Sequence, residues 1–202
     1  MANLSLQNYI PALLVAFRFA IAPLLLLDAL DGTVSSLFIT GYIAAVLSDI
    51  FDGIIARRLK VSTVQLRQAD SLADVCLYLC IAISIWFVYP AVIIAFRVPL
   101  IVALIVQLSL YAVSLIKFGK SPSFHTYTAK AWGISLLIAI VALFGFGYAS
   151  TLWLAIGFCL INSVEEIVMT LILPEWKHDV LSIFHASRLR DAAKSVSQNG
   201  SE

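Results

Sequence analysis

Four aspartates, Asp49, Asp52, Asp70 and Asp74, fall within the stretch SDIFDGIIARRLKVSTVQLRQADSLADVCLY, residues 48–78. They sit at the ends of otherwise apolar segments. A carboxylate at membrane depth costs roughly 2.5–3.5 kcal/mol on insertion scales, so four together require something cationic. Asp49, Asp52, Gly53 and Ala56 stand at i, i+3, i+4 and i+7, one stripe on one helix face. Two carboxylates followed by two of the smallest residues leave room for a ligand to approach the backbone. Asp70 and Asp74, at i and i+4, open the next apolar segment. Consecutive antiparallel segments bring both pairs to the same end. Four hard oxygen ligands converging there suit Mg²⁺ or Mn²⁺, with room for two ions. Two ions held by carboxylates stabilise both the attacking and the leaving oxygen in phosphoryl transfer. Ordinary helix-end charges, snorkelling or paired with Arg57 and Arg58, would explain Asp70 alone; they do not explain the set of four.

The elements that must position these acids follow from composition. Hydrophobic residues make up 61% of the 202 and charged ones 12%, against about a quarter charged in soluble domains. The apolar residues run in stretches of about 20, the length that spans a hydrocarbon core: about 9–29, 35–57, 69–89, 92–116, 131–149 and 152–173. The expectation is an all-α polytopic membrane protein, with six transmembrane helices in a domain over 1–176 and a tail over 177–202. The first stretch is too long and too lightly flanked for a cleaved signal peptide, and no soluble domain is expected. Arg57, Arg58, Lys60 and Arg67 lie between spans two and three, Lys117, Lys120 and Lys130 around the loop between four and five, and Lys177, Arg188, Arg190 and Lys194 in the tail. The opposite loops carry no basic residue, and Asp28 and Asp31 occupy one of them. The positive-inside rule then puts both termini in the cytoplasm. Residues 58–68 read as a short amphipathic connector at the surface, Pro99 should bend span four, and the polar end Ser195–Glu202 should fray. Cys76, Cys80 and Cys159 fall within spans as buried thiols rather than a disulfide framework.

The run Asp49-x-x-Asp52-Gly53-x-x-Ala56-Arg57, then Asp70-x-x-x-Asp74, resembles the signature of the CDP-alcohol phosphatidyltransferases, D-x2-D-G-x2-A-R-x8-G-x3-D-x3-D. Seven of its eight fixed positions match at the correct spacing. The exception is the second glycine, replaced by Leu66; in the family that glycine is close to the nucleotide. Where members often show P-N-x-x-T-x-x-R in span one, this chain has Pro11-Ala12-Leu13-Leu14-Val15-Ala16-Phe17-Arg18, keeping the arginine and losing two polar groups.

The resemblance implies a reaction. A CDP-linked lipid, most often CDP-diacylglycerol, binds with its pyrophosphate on two metal ions; an alcohol attacks the lipid-side phosphorus; CMP leaves. Asp49, Asp52, Asp70 and Asp74 would hold metal, with Asp74 also the general base. Gly53, Ala56 and Leu66 would flank the nucleotide and Arg57 would meet a phosphate. Lys130 falls where the family often carries a lysine near the acceptor alcohol, and His125 is a second acceptor candidate. A phosphorylated acceptor would suit Lys117, Lys120 and Lys130, although topology alone also calls for basic residues there. The implied setting is an integral protein of the plasma membrane, the inner membrane of a bacterium, with its site facing the cytoplasm among membrane lipids. The family commonly forms homodimers, and no nucleic-acid partner is expected.

Rise per residue places Arg18, Asp49, Gln107, Glu165 and Glu166 about 9–15 Å from the cytoplasmic ends of their spans. Arg18 therefore has two readings, a phosphate ligand or an ion pair with Glu165 or Glu166. Arg97 lies about 30 Å from that end, too far to meet the aspartates. Two other function classes stay open: a divalent-cation transporter, and a catalytically silent family member. Carriers usually hold their ligands near the midplane on broken helices, whereas these acids hug one face.

Overall fold

Residues 9–59, 61, 63–122, 124, 126–177 and 180–199 are described by a computed structural model. Among them the chain forms α1 (Ile10–Ala29), α2 (Ser36–Leu59), α3 (Val64–Val88), α4 (Pro90–Phe118), α5 (Tyr127–Phe146), a 3-10 turn (Ala149–Thr151), α6 (Leu152–Ile172) and α7 (Ile183–Asn199), with no strand. Six of these, α1 to α6, are long and apolar enough to cross a membrane, so the protein is an all-α polytopic membrane protein. Its large apolar side chains face outward, Leu37 at 76% exposure and Ile116 at 86%. In water such a surface would aggregate; against acyl chains it is the ordinary solvent-facing surface.

The helices begin earlier than hydropathy indicates at two places, for the same reason. Thr63 is extended and its side chain accepts the Leu66 N–H, so α3 starts at Val64. Thr126 is also extended and accepts the Ala129 N–H at 3.0 Å, so α5 starts at Tyr127. Capping extends a helix through polar first turns that an apolar window misses. The amphipathic connector expected over 58–68 is thereby corrected. Arg58 and Leu59 close α2, and Val64 to Gln68 open α3; residues 60 and 62 lie outside the described residues. Pro99 sits inside an uninterrupted α4, and the tail is helical through Asn199 rather than fraying from Ser195.

The chain divides into two compact units, Met1–Ala95 and Phe96–Glu202. In the first, α1 packs against both α2 and α3. Its buried positions, Pro11, Val15, Arg18, Ala22, Leu25 and Ala29, alternate spacings of four and three, a seam of the coiled-coil kind. Ala22, Ala29, Ala45 and Ala73 are fully buried, and a Cβ on Gly41 would stand 3.0 Å from Leu25 Cδ2. Small residues of this kind let apolar helices approach closely. The α1–α2 loop is tied down by its own acids. Asp28 accepts the Ser35 N–H at 2.9 Å, and Asp31 accepts the Thr33 N–H and hydroxyl, both at 2.9 Å. Those two bonds hold the Asp31 carboxyl below its usual range.

In the second unit α5 packs on α6 and α6 on α7. Gly147, at φ +72°, closes α5 by donating its N–H back to the last turn. Lys117 Nζ donates to the carbonyls of Thr170, Leu171 and Leu173 at 3.0, 2.7 and 2.9 Å, satisfying the open end of α6. Phe124, Met169, Leu173, Val180 and Ala186 form the apolar cluster that seats α7.

Candidate metal and active site

The first unit places all four aspartates around one guanidinium. Arg18 is the one charged residue in the α1 seam, and its side chain is fully buried. Its Nη1 lies 3.1 Å from Asp49 Oδ1, 2.9 Å from Asp70 Oδ1 and 2.5 Å from Asp74 Oδ1. Its Nη2 donates to Asp52 Oδ2 at 2.5 Å. Asp49 and Asp52 come from α2 and Asp70 and Asp74 from the second and third turns of α3, so two consecutive helices deliver the pairs and a third delivers the cation. The acids differ in exposure: the Asp52 side chain is 5% exposed, whereas Asp49, Asp70 and Asp74 are at 42%, 35% and 36%.

The donor set fits a divalent ion. Asp49, Asp70 and Asp74 each offer a carboxylate oxygen, and the three lie within 4.8 Å of one another, an all-oxygen group of the hardness that Mg²⁺ and Mn²⁺ prefer. Asp52 stands apart from this trio, although the sequence grouped all four as ligands. Four formal negative charges face one positive charge, which leaves the cluster with a formal excess of negative charge. Among the described residues, Arg18 Nε and the Tyr42 hydroxyl are buried polar atoms without a hydrogen-bond partner.

The remaining candidate residues divide between the two units. Ala56 is buried and Gly53 half-buried on the stripe below the acids. The exposed Arg57 side chain folds back over Gly53, with Nη1 and Nη2 3.5 and 3.6 Å from where a Cβ would stand. Leu66 is half-buried on the first turn of α3, one and two helical turns before Asp70 and Asp74. Lys130 belongs to the second unit, exposed on the first turn of α5 with Nζ 5.5 Å from the Tyr127 ring centroid. His125 lies outside the described residues.

Three of these cations have identifiable partners. Arg18 pairs with the aspartates, while Glu165 accepts from Thr128 and from the Ile183 N–H, and Glu166 lies 3.5 Å from the Thr126 hydroxyl. The alternative Arg18–glutamate pair is thus replaced. Lys117 spends its three donors on α6 carbonyls, and Lys120 lies 4.7 Å over the Trp176 ring. What sequence reasoning missed is the polar network around Thr126 and Asn162; a run of Thr, Asn and Glu at similar depth was its only signal.

No curated protein and no solved structure matches the chain. A family model described as CDP-alcohol phosphatidyltransferase matches residues 8–175. That range holds the four aspartates, Arg18 and all six spans, and the family's members are metal-dependent transferases acting on substituted phosphate groups. With its acids on α2 and α3 and its spans within that range, the chain belongs to the CDP-alcohol phosphatidyltransferase family.

Proposed function

We propose that this protein transfers a phosphatidyl group from CDP-diacylglycerol to a small alcohol, releasing CMP, as a step of phospholipid synthesis. The observation that carries the reading is the convergence of Asp49, Asp70 and Asp74 within 4.8 Å of one another, beside the α2 stripe that runs from Asp49 into Gly53 and Ala56. Mg²⁺ or Mn²⁺, as a pair of ions held by Asp49, Asp70 and Asp74 with Asp52 completing the set, would neutralise the phosphate charge and polarise phosphorus.

The chain's own residues do the rest. Gly53 and Ala56 leave room for the nucleotide, with Leu66 at its border, and Arg57 and Arg18 meet phosphate oxygens in the bidentate manner that guanidinium favours. Asp74 takes the hydroxyl proton of the acceptor as its oxygen bonds to the lipid-side phosphorus. The bond from that phosphorus to the bridging oxygen breaks, and CMP departs with that oxygen. A half-exposed carboxylate on a helix turn can pass its proton on to water. The acceptor role of Lys130 rests on the family resemblance alone. The cytoplasmic orientation of the site and of both termini rests on the clustering of Lys and Arg in the loops on one side.

CMP release from CDP-diacylglycerol by purified protein, with Mg²⁺ or Mn²⁺ and a panel of free and phosphorylated alcohols, tests the reading. Metal-dependent CMP release with one preferred alcohol is expected. No release with any alcohol would leave a silent family member.

A further inference from the structure

The contacts of Arg18 resolve into two sets. A single nitrogen, Nη1, touches Asp49, Asp70 and Asp74, the same three acids whose oxygens converge within 4.8 Å. The other terminal nitrogen, Nη2, holds Asp52, the acid outside that trio. One position therefore serves either a guanidinium nitrogen or a divalent ion, and like charges cannot share it. The fifth donor, Nε, has no acceptor although the side chain is fully buried. A buried donor left open costs stability and leaves Nε able to take a further acceptor. Because a guanidinium does not deprotonate in proteins, it cannot vacate the position by losing its charge. It has to be displaced.

Resting on the metal-site reading above, we infer that Arg18 is a tethered stand-in for the divalent ion. In the metal-free protein it holds the aspartates together. When the first ion enters, Arg18 releases Asp49, Asp70 and Asp74, stays anchored to Asp52 through Nη2, and turns its freed donors to the phosphate oxygens of the CDP-lipid. Ion entry and donor binding are then coupled through one side chain. Arg18 is a positioning residue whose presence weakens binding of the ion by itself and strengthens binding of ion and donor together.

The test is Mn²⁺ binding, followed by the electron paramagnetic resonance of free Mn²⁺, in detergent and without CDP-lipid. Arg18→Gln should bind Mn²⁺ about tenfold tighter than the native protein, inside the range usual for coupled sites. Arg18→Lys, which keeps the charge but not the fork, should fall between them. A purely structural arginine would give the opposite result, since its loss would loosen the acids; equal or weaker Mn²⁺ binding in Arg18→Gln overturns the inference. If that variant does not fold, the native protein still decides. Labelling of Arg18 by phenylglyoxal, mapped by peptide mass, should rise on adding Mn²⁺ and fall again on adding CDP-diacylglycerol. Unchanged or reduced labelling with Mn²⁺ overturns it equally. Native protein that binds no Mn²⁺ would sink the metal site itself, and this inference with it. Native binding with no gain in Arg18→Gln would sink the exchange alone.

Discussion

Two polar clusters lie in these apolar helices, one in each unit, and they are built to opposite rules. In the second unit the Thr126 hydroxyl donates to Asn162 Oδ1 at 2.8 Å and accepts the Ala129 N–H. Thr128 donates to Glu165 Oε2 at 2.5 Å, and Glu165 Oε1 accepts the Ile183 N–H at 3.2 Å. Each of these groups has found a partner, and the network ties the start of α5 and the start of α7 to α6. In the first unit four carboxylates share one guanidinium, and the guanidinium keeps an unused donor. A satisfied polar network inside a membrane domain serves the fold. An anionic cluster with too little positive charge could hold a metal ion. Comparing charge balance and open donors separates structural from functional polarity here better than burial does, since both clusters contain fully buried members.

The largest expected effect tests the functional side of that comparison. Asp49→Ala or Asp70→Ala should abolish metal-dependent CMP release while the protein still elutes from size exclusion as a folded species. Undiminished release in either variant would break the assignment. Next in size is Asp74→Asn. Removing a general base typically costs 10²–10⁴-fold in rate, so turnover should fall by about that factor while CDP-lipid binding largely persists. Near-native turnover would mean that another group takes the proton.

The structural side is tested by Asn162→Leu. It removes the nearer acceptor of the Thr126 hydroxyl and leaves only Glu166 at 3.5 Å, and a buried donor left poorly bonded costs about 1–3 kcal/mol. The expected outcome is a lower melting temperature in detergent with Mn²⁺ affinity unchanged. A variant that loses Mn²⁺ binding instead would erase the distinction between the clusters. The smallest effect is expected at Leu66. If the leucine crowds the nucleotide where the family keeps a bare backbone, Leu66→Gly should lower the KM for the CDP-lipid a few-fold with kcat changed less. Glycine in the first turn of α3 costs up to about 1 kcal/mol of helix stability, so kinetics at matched amounts of folded protein are needed. A raised KM would show that the leucine is a working part of an adapted pocket.

Much of this architecture is legible in the residues. Six apolar runs read directly as α1 to α6, because run length and span length share one physical cause. The convergence of the acids follows from i, i+3 and i+4 spacing on neighbouring antiparallel helices. The partner of Arg18 does not, because rise per residue sets depth but not the direction in which a side chain points, and Asp49, Glu165 and Glu166 share its level. The partners of Lys117 are hidden for a related reason. A lysine at a span end satisfies the positive-inside rule whether it meets solvent or the carbonyls of a helix 53 to 56 residues away. The tail helix α7 was missed, although Ile183, Ala186 and Leu189 repeat every third residue and all three pack on the Phe124–Met169 cluster. A two-turn stripe in a polar segment is a weak signal beside six membrane spans.

The burial of Arg18 also bears on how the protein is made. The α1 helix leaves the ribosome before α2 and α3, so its arginine reaches the membrane before any of its four acids does. Alone at depth, it costs about 2.5–3.5 kcal/mol to insert, and each acid on the following helices carries a similar cost. None of the three segments settles comfortably until the others arrive. The charge cost of α1 is therefore offset only when α2 and α3 dock against it, so the three helices gain their full stability in the membrane together rather than one by one.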